Sequence, residues 1–243
     1  MRGKKPRPVG DILNKNILII GAGSGVGECL LNRLYKDNNI ACITRTASKI
    51  QLDSTNESSF IVYESDLGSS DVLNKVKESI EFLKKIDILI IIAGESMIGE
   101  FVDYSMDDII KVVNTNIVGT TLVIQNVIKN MIDNNGGRIV CMSSESSVRN
   151  HPFNSIYSSS KAFLDKLVKD LSVELGGTNV KINSVAPGII DTPFLDKIIS
   201  YNDSIIDFIK SSSKVTASSV ADAFIEVLTS DTIENGEVLE IIN

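Results

Sequence analysis

The sequence predicts an α/β fold in which a doubly wound, parallel, seven-stranded sheet is flanked by helices within a single domain. Apolar runs of strand length recur along the chain, helix-like stretches lie between them, and the first run feeds directly into a glycine-rich turn. In chain order, strands are expected at residues 16–20, 40–44, 60–64, 86–92, 137–143, 180–186 and 237–242. The helices between them are expected at 26–36, 70–84, 105–134, 154–176 and 217–229. The Ser- and Asn-rich stretch 53–59 reads as a loop. Segment 194–213, amphipathic in places and rich in Ser, Asp and Lys, is the candidate substrate lobe. Residues 1–10, with Arg2, Lys4, Lys5 and Arg7, read as a flexible basic arm ahead of a domain spanning 11–243.

Composition narrows the function classes. With 243 residues and 43% hydrophobic content, the chain can bury one large core. It contains no apolar run of about 18 residues or more, and its first ten residues lack the apolar stretch of a signal peptide, so a soluble, cytoplasmic protein is expected. Cys29, Cys42 and Cys141 are odd in number and far apart, as free thiols in a reducing compartment would be. The net charge is −7, and without the basic arm the body stands near −11, which argues against nucleic acid as a partner. His151 is the single histidine, which excludes a multi-histidine metal site, and no Gly-x-Ser-x-Gly elbow is present.

The strand Ile17-Leu18-Ile19-Ile20 runs into Gly21-Ala22-Gly23-Ser24-Gly25-Val26-Gly27, followed by a helix. Glycines permit a tight turn and let backbone N–H groups approach a pyrophosphate at the helix N-terminus, where the macrodipole favours negative charge. The spacing is Gly-x-x-x-Gly-x-Gly at Gly21, Gly25 and Gly27; Gly-x-Gly-x-x-Gly fails because Val26 stands at the third position. Far downstream, Tyr157 and Lys161 are four residues apart, on one face of a helix, so an ammonium can sit near a phenol. A nearby cation favours the phenolate of a tyrosine, whose free pKa is about 10, and so suits it to proton transfer.

On these motifs the chain resembles the short-chain dehydrogenase/reductase family from about Asn14 to Ile242. The resemblance also draws on Asp66 after the third strand, Ala93-Gly94 after the fourth, Asn116 in Asn114-Thr115-Asn116-Ile117-Val118-Gly119, and Pro187-Gly188-Ile189-Ile190-Asp191-Thr192. Ser144 stands 13 residues before Tyr157, as in the family pattern; that spacing selects it over Ser143. The chain departs from the pattern at Ile20, where the family has Thr, and at Ile91 and Ile92, where it has two asparagines that brace the glycine turn.

The resemblance implies a Rossmann-type fold and hydride transfer between a nicotinamide cofactor and a carbonyl or alcohol carbon. Tyr157 is then the general acid, Lys161 lowers its pKa and holds the nicotinamide ribose, and Ser144 hydrogen-bonds the substrate oxygen. Asn116 holds a water that links Lys161 to solvent; local capping is the competing role. The implied cofactor set comprises Gly21, Gly23, Ser24, Gly25, Val26 and Gly27 in the turn, then Arg45, Thr46, Asp66, Leu67, Ala93 and Gly94. Tyr157, Lys161, Pro187, Gly188, Ile190 and Thr192 complete it. The end of the second strand, Thr44-Arg45-Thr46, offers no acid for a ribose 2′-OH and one guanidinium for a 2′-phosphate, which favours NADP(H) over NAD(H). Ser24 weighs the other way, since many NADP-preferring members carry a basic residue there.

Glu95, Ser96, Met97 and His151 are candidates for the substrate pocket. The expected partners are a small carbonyl or alcohol substrate and a second copy of the chain, as homodimer or homotetramer, with neither nucleic acid nor membrane. Three other readings share the fold: a 3-oxoacyl-thioester reductase, a noncatalytic NADP(H) sensor, and a sugar-nucleotide epimerase or dehydratase. The short stretch after Pro187 weighs against the last, and a body near −11 against docking an acidic carrier.

Overall fold

Strands with little polar alternation form the centre of the protein, because both faces of the parallel sheet are covered. The structure is a computed structural model and describes residues 12–50, 52, 59–191, 207 and 211–242. Its main sheet contains β1 (Asn16–Ile20), β2 (Asn39–Thr44), β3 (Phe60–Glu64), β4 (Ile88–Ile91), β5 (Gly137–Met142), β6 (Val180–Pro187) and β9 (Val238–Ile241). All neighbours run parallel, in the order β3-β2-β1-β4-β5-β6-β9. The order reverses between β1 and β4, and in such open sheets ligands bind beyond the carboxyl ends of the strands at that point. Two three-residue strands, β7 (Ile189–Asp191) and β8 (Lys214–Thr216), form a separate parallel pair.

The sheet separates two apolar layers. Along β1, Ile17 and Ile19 pack with α1 (Gly25–Leu34) and α6 (Ala217–Thr229), where Phe224 is fully buried. Leu18 and Ile20 face the other layer, with α2 (Val72–Leu83), α4 (Thr120–Asp133) and α5 (Ser155–Glu174). Period-two alternation thus divides one strand between two cores.

The stretch expected as a single helix at 105–134 is divided. It comprises α3 (Met106–Val112), a π-helical turn (Val113–Gly119) and α4. The chain lies close against the loop after β3 here: a Cβ on Gly119 would come within 2.0 Å of the Leu67 carbonyl oxygen. Single π-turns inside helices often mark functional sites, and this one carries Asn116. The basic arm, Thr192 and most of segment 194–213 lie outside the described residues.

Candidate active site

A cavity of about 510 Å3 lies over the reversal point, within the range of small-molecule sites. Its floor begins at the glycine turn. Gly21 has φ +96° and Gly25 φ +58°, a region that side chains rarely enter. A Cβ on Gly21 would fall 2.6 Å from the Ala93 nitrogen, and one on Gly23 2.9 Å from Thr44 Oγ1. Gly27 does not line the cavity; a Cβ there would meet the Gly21 carbonyl oxygen at 2.0 Å, so it lets α1 pack against its own turn. No side chain caps the start of α1, and Ser24, Gly25 and Val26 face the cavity. A glycine cradle beneath an uncapped N-terminus fits the pyrophosphate of a dinucleotide.

The isoleucines at the end of β4 change how the turn is braced. Ile91 is buried in the core, and Ile92 packs against the opposite layer. The main chain holds the turn instead: Gly21 N donates to Ile43 O at 2.8 Å, and Ile92 N and Ala93 N donate to Ile20 O at 2.9 and 3.0 Å.

At the other end, β5 and α5 bring Ser144, Tyr157 and Lys161 together on one cavity wall. Lys161 is 4% exposed and its Nζ donates to the Met142 carbonyl at 2.8 Å. Burial lowers its pKa to about 8, with Cys141 and Asp165 pulling the other way. Burial also raises the Tyr157 phenol, while its hydrogen bond with Ser144 lowers it. The sequence predicts a phenol lowered by Lys161; the ammonium lies 5.7 Å from the ring centroid and bonds a carbonyl, so desolvation prevails. Tyr157 is therefore protonated at neutral pH, the state a general acid needs.

Ser144 starts a short 3₁₀ turn and accepts from Ser146 Oγ at 3.0 Å. Its rival Ser143 is 1% exposed, with a hydroxyl that has no hydrogen-bond partner. The loop before α5 is fixed at Phe153, whose φ of +67° is unusual for an aromatic residue. The Phe153 carbonyl accepts from Gly99 N at 2.7 Å and from the Tyr104 hydroxyl at 2.8 Å. His151 lies on this loop at the cavity, 3.7 Å from Glu145 Oε1.

Asn116 is 3% exposed and committed to the protein. Its Oδ1 accepts from Glu95 N, and its Nδ2 donates to Glu95 O and Ser160 Oγ, all between 2.8 and 2.9 Å. It thereby ties the segment after β4 to α5. Gly94 sits between: a Cβ there would lie 3.3 Å from both Asn116 Oδ1 and Lys161 Nζ.

Beyond the carboxyl ends of β2 and β3, Arg45 and Thr46 line the cavity beside Asp66 and Leu67. One Asp66 oxygen accepts from Gly68 N at 2.8 Å. Arg45 is not free: it pairs with Glu95 at 3.1 Å, and Lys111 takes the other Glu95 oxygen at 3.0 Å. Among the described residues, no cluster of His, Cys, Asp or Glu could hold a metal ion.

The short chain dehydrogenase family model matches residues 15–202, which include the glycine turn, Ser144, Tyr157 and Lys161. The chain belongs to the short-chain dehydrogenase family. It is thus an oxidoreductase that acts on CH–OH/C=O groups with a nicotinamide cofactor. An uncharacterized oxidoreductase of Staphylococcus epidermidis is 26% identical over 90% of this chain and 92% of its own length. Another, from Staphylococcus aureus, is 29% identical over 74% of this chain and 80% of its own. A Burkholderia cenocepacia short-chain dehydrogenase solved with NADP is 25% identical, with TM-score 0.83 and coverage of 96% of this chain and 98% of that one. A 7α-hydroxysteroid dehydrogenase solved with NADH and 7-oxo glycochenodeoxycholic acid shares the fold at 22% identity and TM-score 0.86, covering 97% of this chain and 96% of its own.

Within this short-chain dehydrogenase, Pro187, Gly188 and Ile190 line the cavity beside Tyr157, and Ala93 and Gly94 lie between its two ends. Two polar groups escaped the sequence reading. Asp165, one turn beyond Lys161 on α5, is buried and accepts from Ser184 Oγ at 2.8 Å. The Met142 carbonyl that anchors Lys161 belongs to the main chain. No local spacing singles out either; both depend on how α5 meets β5 and β6.

Proposed function

We propose that the protein reduces a ketone or aldehyde to the alcohol, with NADPH as the preferred cofactor. The observation that carries this reading is one continuous cavity lined by the glycine turn, Arg45, Ser144, Tyr157 and Lys161. A bound nicotinamide dinucleotide supplies the hydride. Ser144 donates to the substrate oxygen and holds it beside the phenol. Tyr157 gives its proton to that oxygen as negative charge develops, and Lys161 stabilises the phenolate left behind. Asn116 serves this step by fixing Glu95 and α5, and so the distance between the two walls. Arg45 favours NADPH because a guanidinium can pair with a 2′-phosphate, and the end of β2 bears no acid to repel one.

The test is NADPH oxidation by the purified protein against ketones, aldehydes, quinones, sugars and acyl thioesters. Turnover of a simple carbonyl supports the reading. Turnover confined to acyl thioesters selects the 3-oxoacyl reductase instead, and cofactor binding without turnover selects a sensor.

The protein is further proposed to be a cytoplasmic homodimer or homotetramer. No helix of the described residues is long and apolar enough to cross a membrane, and the three cysteines are free thiols. Met106 and Ile110 of α3, Val118 of the π-helical turn and Phe163 of α5 are large apolar side chains left exposed, on helices that in the family pack against a second copy. Light scattering should give a mass of two or four chains of 26.4 kDa; a monomer at micromolar concentration refutes the assembly.

A further inference from the structure

We propose that Glu95 sets how strongly the site discriminates between the two nicotinamide cofactors, by competing with a ribose 2′-phosphate for Arg45. The inference rests on the reading of Arg45 as the 2′-phosphate contact and adds the residue that opposes it. Glu95 lines the same cavity as Arg45, and its side chain is only 18% exposed. Oε2 holds Arg45 at 3.1 Å and Oε1 holds Lys111 at 3.0 Å, so the carboxylate spans from the end of β2 to α3. The Asn116 amide bonds both Glu95 N and Glu95 O at 2.8 Å and so fixes the main chain from which this carboxylate reaches the two cations.

Two effects of the same sign follow for a 2′-phosphate. One guanidinium nitrogen is already bonded to a carboxylate, and a phosphate that approaches Arg45 meets the negative charge of Glu95 in a partly desolvated cleft. A cofactor with a free 2′-OH meets neither. Lys111 moderates the competition, since it draws one carboxylate oxygen towards α3 and offsets part of the charge. Lys111→Ala should therefore leave Glu95 more fully on Arg45.

Calorimetric titration with adenosine 2′,5′-bisphosphate and adenosine 5′-monophosphate separates these contributions without turnover, using wild type, Glu95→Gln, Lys111→Ala, Arg45→Ala and the Glu95→Gln/Arg45→Ala pair. An ion pair of this exposure is worth up to about 1 kcal/mol, so Glu95→Gln should tighten the bisphosphate about two- to fivefold and leave the monophosphate unchanged. Lys111→Ala should weaken the bisphosphate by a smaller factor, and the gain from Glu95→Gln should vanish when Arg45 is also replaced. Unchanged or weaker bisphosphate binding by Glu95→Gln, while Arg45→Ala still weakens it, overturns the role of Glu95 and leaves Arg45 standing. Weaker monophosphate binding by Glu95→Gln also overturns it, because the carboxylate then holds the adenosine ribose. If Arg45→Ala has no effect on either ligand, the Arg45 reading fails and this inference fails with it.

Discussion

Lys161, at one end of the cavity, is 4% exposed and bonded to a main-chain carbonyl, whereas Arg45, at the other, has a side chain 52% exposed and bonded to another side chain. The two cations differ in what it takes to move them. Lys161 is fixed by β5 and by the packing of α5, so its position is a property of the fold. Arg45 is held by an exposed ion pair worth about 1 kcal/mol or less, which a ligand can replace. The groups assigned to proton transfer are thus built in, and the groups assigned to cofactor choice are left adjustable.

The sharpest way to break this arrangement is through the glycine turn on which the cavity floor rests. A Cβ at Gly27 would stand 2.0 Å from the Gly21 carbonyl, backbone against backbone, so relief requires α1 to shift. Gly27→Ala should destabilise the protein by about 3 kcal/mol or more, at the upper end of overpacking effects, and weaken cofactor binding with it. Urea unfolding and cofactor titration measure the two. Wild-type stability would show that the contact relaxes freely.

Lys161 sharpens the comparison through pH. Its pKa falls from 10.5 in the unfolded chain to about 8 in the fold, so the charged form is penalised in the fold. That penalty is fully present below about pH 8 and disappears as pH rises past the unfolded value. Lys161→Met should therefore be more stable than wild type at pH 7, by at most about 3 kcal/mol, with the gap closing between about pH 8 and pH 10.5. Unfolding curves across that range test it, and a constant gap would contradict a buried charge.

At the adjustable end the effect is smaller and confined to binding. Hydrogen bonds to charged groups contribute about 1.5–3 kcal/mol, and Glu95 opposes this one, so Arg45→Ala should weaken NADPH by about tenfold and leave NADH nearly unchanged. Equal loss for both cofactors would make Arg45 a bystander.

The same contrast explains what the sequence made legible. The seven strands of the sheet lie within two residues of expectation because each is a short, largely apolar run; the inner ones are buried on both faces, whereas the edge strands β3 and β9 are only partly buried. Tyr157 and Lys161 stand out by their helix period, Ser144 only by the spacing of the family that the chain resembles, and all three line one cavity. The π-helical turn was not legible: helix periodicity continues through Asn114–Gly119, and only the close approach of Gly119 to Leu67 marks the change. The pair β7 and β8 is too short to give a periodic signal. Lys111 and Asp165 escaped, and Glu95 is read from the sequence as a pocket residue but not as the partner of two cations, because ion pairs and buried carboxylates between distant segments leave no local pattern. Reading Arg45 alone from the end of β2 omits the Glu95 carboxylate with which it pairs.

Tyr157→Phe tests the central claim most directly, because it removes one oxygen from the fixed end and leaves the adjustable end untouched. Cofactor affinity and turnover should be measured on the same preparation, with any carbonyl substrate that the screen identifies. The account predicts NADPH affinity close to wild type and turnover lowered by at least about a hundredfold, the lower end of general-acid contributions. Turnover within a few-fold of wild type would contradict it and remove Tyr157 from the reaction.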